Sequence, residues 1–235
     1  MSNNLEAWAD ALAMVMTSDY FTRMFNERNS GVVRLFANRL WFMSGKGGVG
    51  KSLIVSVVAK IFADTGYHVL VIDTSSLGGA QAIFERADEP FKFYNLDMLR
   101  RSAVYKDLVK GNIGLVKCSV YEYMIHDSFH NDINRHFDFV LIDTDAGFPI
   151  TAESSIMWGD IILITTQDPG SIVGTSAVIE AILSKPELKH TSVGMIINFA
   201  KLASKKVIYE ALASLTDRNV YDVIDFHGLV LTSNR

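Results

Sequence analysis

From about residue 39 onward, short apolar runs alternate with segments of helical periodicity. Arg39–Ser44, His68–Asp73, Asn112–Ser119, Asp138–Thr144, Asp160–Thr166 and Ser192–Phe199 read as strands rich in Val, Ile and Leu. Between and after them, Lys51–Thr65, Tyr121–His136, Ser171–Leu183 and Ser204–Leu215 carry the three-to-four-residue spacing of helices. Strands that are apolar throughout, separated by helices, belong to parallel sheets buried on both sides. The predicted fold is therefore α/β: a doubly wound, mostly parallel sheet with helices on both faces. Such sheets bind ligands at the carboxyl ends of their strands. The four prolines (Pro90, Pro149, Pro169, Pro186) fall at element boundaries, where a missing N–H costs least.

Residues 1–36 stand outside this alternation. Leu5, Trp8, Leu12, Val15 and Met16 follow helical spacing, and Tyr20, Phe21, Met24 and Phe25 form a second apolar cluster. The chain thus reads as a helical extension over 1–36 followed by an α/β domain over 37–235. The extension either packs on the domain or offers a helix to a protein partner, since helix-in-groove recognition uses the same spacing.

Composition narrows the class. With 235 residues, 49% hydrophobic and 20% charged, the chain is globular and large enough for a sizeable core. A net charge of −4 gives no general attraction to nucleic acid, and Lys185, Lys189, Lys201, Lys205 and Lys206 read as a solvated face, so DNA is not an expected partner. The lone Cys118 reads as a small core residue. His126 and His130 have metal-ligand spacing on one helix face, without a Glu or Cys to complete a site. No apolar run approaches the roughly 18 residues needed to span a bilayer. Acidic Glu6 and Asp10 stand where a signal peptide carries basic residues. The expected location is cytoplasmic, with any recruitment to a membrane or cell pole made through a partner.

One motif carries the chemistry. Gly45-Lys46-Gly47-Gly48-Val49-Gly50-Lys51-Ser52 satisfies G-x-x-x-x-G-K-[ST] directly after a strand and directly before a helix. Chance alone gives its four fixed positions in roughly one chain in a hundred of this length, before the strand–helix context is counted. Glycines let the backbone approach phosphates and present N–H groups as an anion nest, and the following helix adds its positive end. Lys51 is expected to reach the β and γ phosphates of ATP, and the Ser52 hydroxyl to bind Mg²⁺. The sheet is then that of a P-loop NTPase.

The form K-G-G-V-G-K-S, with Lys46 right after the first glycine, resembles the deviant Walker A motif of the MinD/ParA family. Val69–Asp73 resembles that family's second strand, Phe139–Thr144 its Walker B strand, and Ile162–Pro169 its strand and nucleotide-side loop. The resemblance covers about residues 39–226, and details around Ile142–Gly147 and Thr165–Ile172 look nearest to the flagellar-number ATPases FlhG/FleN. It implies that Lys46 crosses a dimer interface to the partner's nucleotide, so that ATP binding drives homodimerisation. It also implies that Asp143 holds Mg²⁺ through water and that Asn198 reads the adenine edge.

Two departures bear on turnover. Hydrolysing members of that family carry D-x-D after the second strand, the second Asp orienting the attacking water, whereas this chain has Asp73-Thr74-Ser75. Serine holds a water but is no general base at neutral pH. Asp145, two residues past Asp143, is the candidate to take over water positioning, against its alternative as a solvated carboxylate. The amphipathic membrane helix of MinD is not expected at the C-terminus. The resulting function is an Mg·ATP-dependent, dimerising switch with slow hydrolysis, acting in positioning or assembly through a protein partner that meets the N-terminal helix or the dimer surface. The alternative is a pseudo-ATPase that holds ATP structurally.

Overall fold

The computed structural model describes residues 38–76, 78–87, 91–99, 113–124, 133, 136–147, 159–186, 193–199, 210–212 and 229–230. The expectations for residues 1–36, for His126 and His130, for Lys189, Lys201, Lys205 and Lys206, and for most of the helices at 121–136 and 204–215 lie outside these residues. In chain order the elements are β1 (Asn38–Met43), α1 (Lys51–Asp64), β2 (Val69–Asp73), α2 (Gly79–Ala87), β3 (Phe91–Tyr94), α3 (Leu96–Leu99), β4 (Ile113–Lys117), α4 (Val120–Met124), β5 (Phe139–Asp143), β6 (Asp160–Thr166), α5 (Pro169–Leu183), β7 (Val193–Asn198) and β8 (Leu229–Val230). The α/β class with a parallel sheet is as the apolar pattern predicts, and the strand ladders of both units below are parallel throughout. The chain divides into two compact units, Met1–Arg39 with Ser52–Asp143 and Leu40–Lys51 with Thr144–Arg235.

In the first unit the strand order is β3-β4-β2-β5. β2 and β5 are buried along their whole length, as strands covered on both faces must be. β2 holds one register with two neighbours: Val69 lies opposite Ile113 and Phe139, and Asp73 opposite Lys117 and Asp143. α1 contributes Ile54, Val55, Val58 and Phe62 to the core. The Phe62 ring stacks on Phe139 at 4.1 Å, and Tyr67 meets Phe139 edge-on at 5.2 Å. Two bonds close the end of α1: Gly66 N–H donates to the Ala63 carbonyl (2.8 Å) and Tyr67 N–H to the Phe62 carbonyl (3.1 Å). Gly66 has φ +88°, so this is the Schellman stop, in which glycine takes the left-handed position. His68 is then tied to Asp138, its N–H donating to Oδ2 (2.9 Å) while its carbonyl accepts from Asp138 N–H (2.8 Å).

In the second unit the order is β1-β6-β7-β8. Leu40–Met43 lie opposite Asp160–Leu163, and Ile161–Thr166 opposite Val193–Asn198. α5 starts two residues before the predicted Ser171 because Asp168 caps it, accepting from Ser171 N–H (3.1 Å), with Pro169 at the first helical position. Its buried face hydrogen-bonds back to β6: Ser171 Oγ lies 3.1 Å from Thr165 Oγ1 and accepts from Thr166 N–H.

Candidate functional site

The loop between β1 and α1 is built around its glycines. A Cβ on Gly45 would lie 1.9 Å from the Gly174 carbonyl carbon, and one on Gly174 would lie 2.5 Å from the Gly45 oxygen, so α5 and the loop touch backbone to backbone. Gly48 (φ +77°) and Gly50 (φ +87°) adopt the left-handed conformation that side chains resist. At Gly48 the space is open, with no atom within 4 Å of an added Cβ, and one at Gly47 would meet only the Ala146 Cβ, at an ordinary 3.9 Å. A loop braced at Gly45 and Gly50, uncrowded at Gly47 and open at Gly48, suits a bulky anion laid against backbone N–H groups. Lys51 is buried as the first residue of α1, and Val49 is buried beside it in sequence. Ser44, preceding the loop, is buried with its carbonyl accepting from Gly147 N–H at 2.7 Å.

Lys46 is exposed and directed to its own chain: its Nζ donates to Asp168 Oδ1 at 2.7 Å. That bond, then the cap bond from Ser171 N–H, holds the Asp168 carboxyl below the ordinary aspartate value. Asp168 therefore serves two donors, the helix and the loop lysine.

Asn198, at the end of β7, is buried. Its Nδ2 donates to the Val49 carbonyl at 2.7 Å, and its Oδ1 accepts from Phe199 N–H at 2.9 Å. The residue assigned to the adenine edge is thus a strap between β7 and the loop, and a Cβ on Gly50 would strike its Nδ2 at 2.4 Å.

In the first unit, Asp73 is fully buried and heavily used. Its Oδ1 accepts from Ser75 N–H (3.0 Å) and Ser75 Oγ–H (2.5 Å), and its Oδ2 from Gln81 N–H (3.1 Å). The Ser75 hydroxyl in turn accepts from Gly79 N–H at 2.9 Å, so Asp73 and Ser75 together satisfy the start of α2. Lys117 closes the turn, its Nζ donating to the Ser75 carbonyl and standing 3.7 Å from Asp73 Oδ1. Ser75, where the sequence lacks the water-orienting carboxylate, spends its hydroxyl on this turn. Gly79 lies against Ser52, with a Cβ there falling 2.4 Å from the Ser52 Oγ. Asp143 is fully buried at the end of β5, in register with Asp73. Asp145 lies two residues beyond it and is exposed.

Hydroxyl and carboxylate oxygens such as Ser52 and Asp143 are the hard donors that Mg²⁺ accepts. No group of three or more His, Cys, Asp or Glu is gathered among the described residues. A magnesium ion shared between phosphates and one or two protein oxygens requires none. Cys118 adjoins Asp73, its N–H donating to the Asp73 carbonyl at 3.2 Å, but burial first, then Glu122 and Asp73, push its thiol up to about 12, away from thiolate chemistry.

Sequence reasoning missed Gly174, Gly79, Lys117 and Phe199. Gly174 had a signal, since a glycine inside a helix costs about 1 kcal/mol relative to alanine and needs a reason. Lys117 had none, because its role depends on the register between β4 and β2.

Residues 40–231 match CbiA, described as the CobQ/CobB/MinD/ParA nucleotide binding domain. Among solved structures, a complex of a Cyanothece McdA variant with ATP is similar with a TM-score of 0.57, at 18% identity over 84% of each chain. The Aquifex aeolicus MinC:MinD cell division protein complex is similar with a TM-score of 0.56, at 19% identity over 78% of this chain and 79% of the other. The pNOB8 ParA bound to nonspecific DNA is similar with a TM-score of 0.55, at 16% identity over 85% of this chain and 86% of the other. At these identities the likeness is one of fold. Among the described residues, no helix is long and apolar enough to cross a membrane.

Proposed function

Because the chain belongs to the CobQ/CobB/MinD/ParA nucleotide binding domain family, we propose that it is an Mg·ATP-dependent switch of the MinD/ParA type. In this reading ATP drives homodimerisation, and the dimer acts in positioning or assembling a cellular structure. The observation that carries the reading is the loop Gly45–Lys51: braced through Gly45 and Gly50, open at Gly48, and followed by a helix N-terminus. Gly45, Lys46, Gly47, Gly48, Val49, Gly50, Lys51 and Ser52 would line the triphosphate, Lys51 opposing its β and γ charge. Ser52 and Asp143 would hold Mg²⁺, which when bound supplies charge neutralisation on the phosphates. Lys46 would act across the dimer, so the Lys46–Asp168 bond has to open before it reaches a second nucleotide.

The partner is proposed to be a protein, met through the dimer surface or the helical extension over residues 1–36, which precedes the domain over 37–235. The MinD neighbour is held in a complex with MinC, which supports this. The expectation against DNA gains no such support, since the ParA neighbour is bound to nonspecific DNA. The proposed location is cytoplasmic, with recruitment to a membrane or pole by the partner.

A second reading, the pseudo-ATPase, is favoured by one observation. Ser75 has its hydroxyl engaged with Asp73 and Gly79, which leaves Asp145 as the candidate for water positioning. Chromatography with light scattering in Mg·ATP, Mg·ADP and no nucleotide, beside an ATPase assay, tests both readings. The switch predicts an ATP-specific dimer and slow turnover that rises with protein concentration and falls in Asp145→Ala. A monomer in every state with ATP tightly bound and no turnover supports the pseudo-ATPase. A chain that binds no ATP overturns both. Adding duplex DNA in a further run decides whether the ATP-bound form takes a nucleic-acid partner.

A further inference from the structure

Lys117 is a charged side chain that the proposed chemistry leaves unused. It ends β4 directly opposite Asp73 in the ladder, and the two strand ends are joined again at the next residue, where Cys118 N–H donates to the Asp73 carbonyl. From there its ammonium reaches the turn that leads into α2. It donates to the Ser75 carbonyl, stands 3.7 Å from Asp73 Oδ1, and lies 3.6 Å from where a Cβ of Gly78 would be. Gly78 (φ +65°) needs to be glycine for its backbone. Gly79 does not, since its φ lies outside the left-handed region. What Gly79 needs is room: an added Cβ would fall 2.4 Å from Ser52 Oγ and 2.9 Å from Ser52 Cβ. The bare backbone of the turn is therefore a wall against the Ser52 side chain, and Lys117 is tied to the same turn. Because the lysine grips a main-chain carbonyl, its hold does not depend on the Ser75 hydroxyl.

We propose that Lys117 is a positioning residue for the magnesium ion, acting through the turn that carries Ser75 and Gly79 on the Ser52 hydroxyl. The inference rests on the reading of Ser52 as a Mg²⁺ ligand and adds what keeps that ligand in place. A serine side chain has three staggered rotamers, and a hydroxyl that must meet a metal beside a phosphate is useful in one of them. Backbone packed against Ser52 narrows the choice before the metal arrives. Mg²⁺ demands near-ideal octahedral geometry, which makes it sensitive to such support. Groups that stand behind a metal ligand commonly carry about 10- to 100-fold in metal affinity.

The test measures ATP affinity by calorimetry for full-length wild type, Lys117→Met, Lys117→Arg and Gly79→Ala, once in Mg²⁺ and once in EDTA, with melting temperatures of the free proteins. The ratio of the two affinities is the magnesium coupling. Lys117→Met is expected to lower that ratio by about 10-fold, with affinity in EDTA as in wild type. Gly79→Ala, which sets a methyl against Ser52 without touching the lysine, should do the same. Lys117→Arg keeps a donor and the charge and should return most of the coupling. Unchanged coupling in Lys117→Met overturns the proposal. So does an equal loss of affinity in Mg²⁺ and in EDTA with earlier melting, which would make the lysine a prop for the fold alone. If Lys117→Met does not fold, Gly79→Ala decides in its place: lowered coupling supports the proposal and unchanged coupling overturns it. Wild type whose ATP affinity ignores Mg²⁺ removes the role of Ser52 and this proposal with it, yet leaves the phosphate loop standing. Wild type that binds no ATP removes the loop reading as well.

Discussion

Lys46 and Asp168, far apart in sequence, meet at 2.7 Å, and the carboxylate that receives the lysine is also the cap of α5. The lysine that the family reading sends to a second subunit is thus held at home. Asp168→Asn keeps an acceptor for Ser171 N–H but removes the charge that retains Lys46. The expected outcome is dimerisation at lower protein concentration in Mg·ATP with little change in melting temperature, measured by light scattering. Dimerisation weaker than wild type would show that Asp168 serves the dimer itself. Acidity should act similarly. The carboxyl is depressed when folded, so its contribution to stability is present above the unfolded aspartate value near about 3.9 and is lost as pH falls through the lower folded value. Dimerisation between pH 6 and 8 should therefore not depend on this pair's protonation, which a pH series checks.

Lys51→Ala should abolish the melting shift expected of the wild type in Mg·ATP, because the buried charge proposed to oppose the phosphates is gone. A ligand at 100 times its Kd stabilises by about 2.7 kcal/mol. Retention of the full shift in the mutant would place the nucleotide elsewhere.

Gly174→Ala should invert the usual sign of its substitution. In a helix this change ordinarily stabilises by about 1 kcal/mol. Here the methyl would stand 2.5 Å from the Gly45 oxygen, so α5 or the loop must move. A loss of about 1–3 kcal/mol in denaturant unfolding, with weaker Mg·ATP binding, is expected. Neutral or raised stability would mean that the contact yields easily.

Ser75→Ala removes the hydroxyl that joins Asp73 to the start of α2 and should cost about 1–2 kcal/mol, with ATP binding kept. Ser75→Asp places a second carboxylate beside Asp73 Oδ1, so it should destabilise more than Ser75→Ala despite restoring the family's residue. Denaturant midpoints and turnover of the two variants separate these effects. Faster hydrolysis in a stable Ser75→Asp protein would show that the turn reorganises around the new charge.

Much of this was legible in the chain. β2, β5, β6 and β7 announce themselves because a strand buried on both faces has almost no polar residues, and Gly45–Ser52 because phosphate binding fixes residue types by position. α2, β3 and α3 were not predicted, since Phe91–Tyr94 alternates over only four residues and α2 opens on Gly79. The site was half visible. Lys46, Lys51, Ser52 and Asp143 stand in a motif, but the pairing of Lys46 with Asp168 and the engagement of Ser75 with Asp73 are tertiary facts that no spacing encodes. Asn198 was named through the family resemblance, while its hold on Val49 appears only in three dimensions.

The double register of β2 also decides where the chain tolerates added length. Val69–Asp73 is locked to β4 on one side and β5 on the other, and its entry is closed by the Gly66 stop of α1 and by the His68–Asp138 bonds. One residue inserted between Gly66 and His68 would have to be looped out entirely or would turn Asp73 to the opposite face of the sheet, away from Lys117 and the start of α2. That junction is therefore unsuited to an epitope tag, a fluorophore graft or a circular permutation, however exposed Thr65 and Gly66 are.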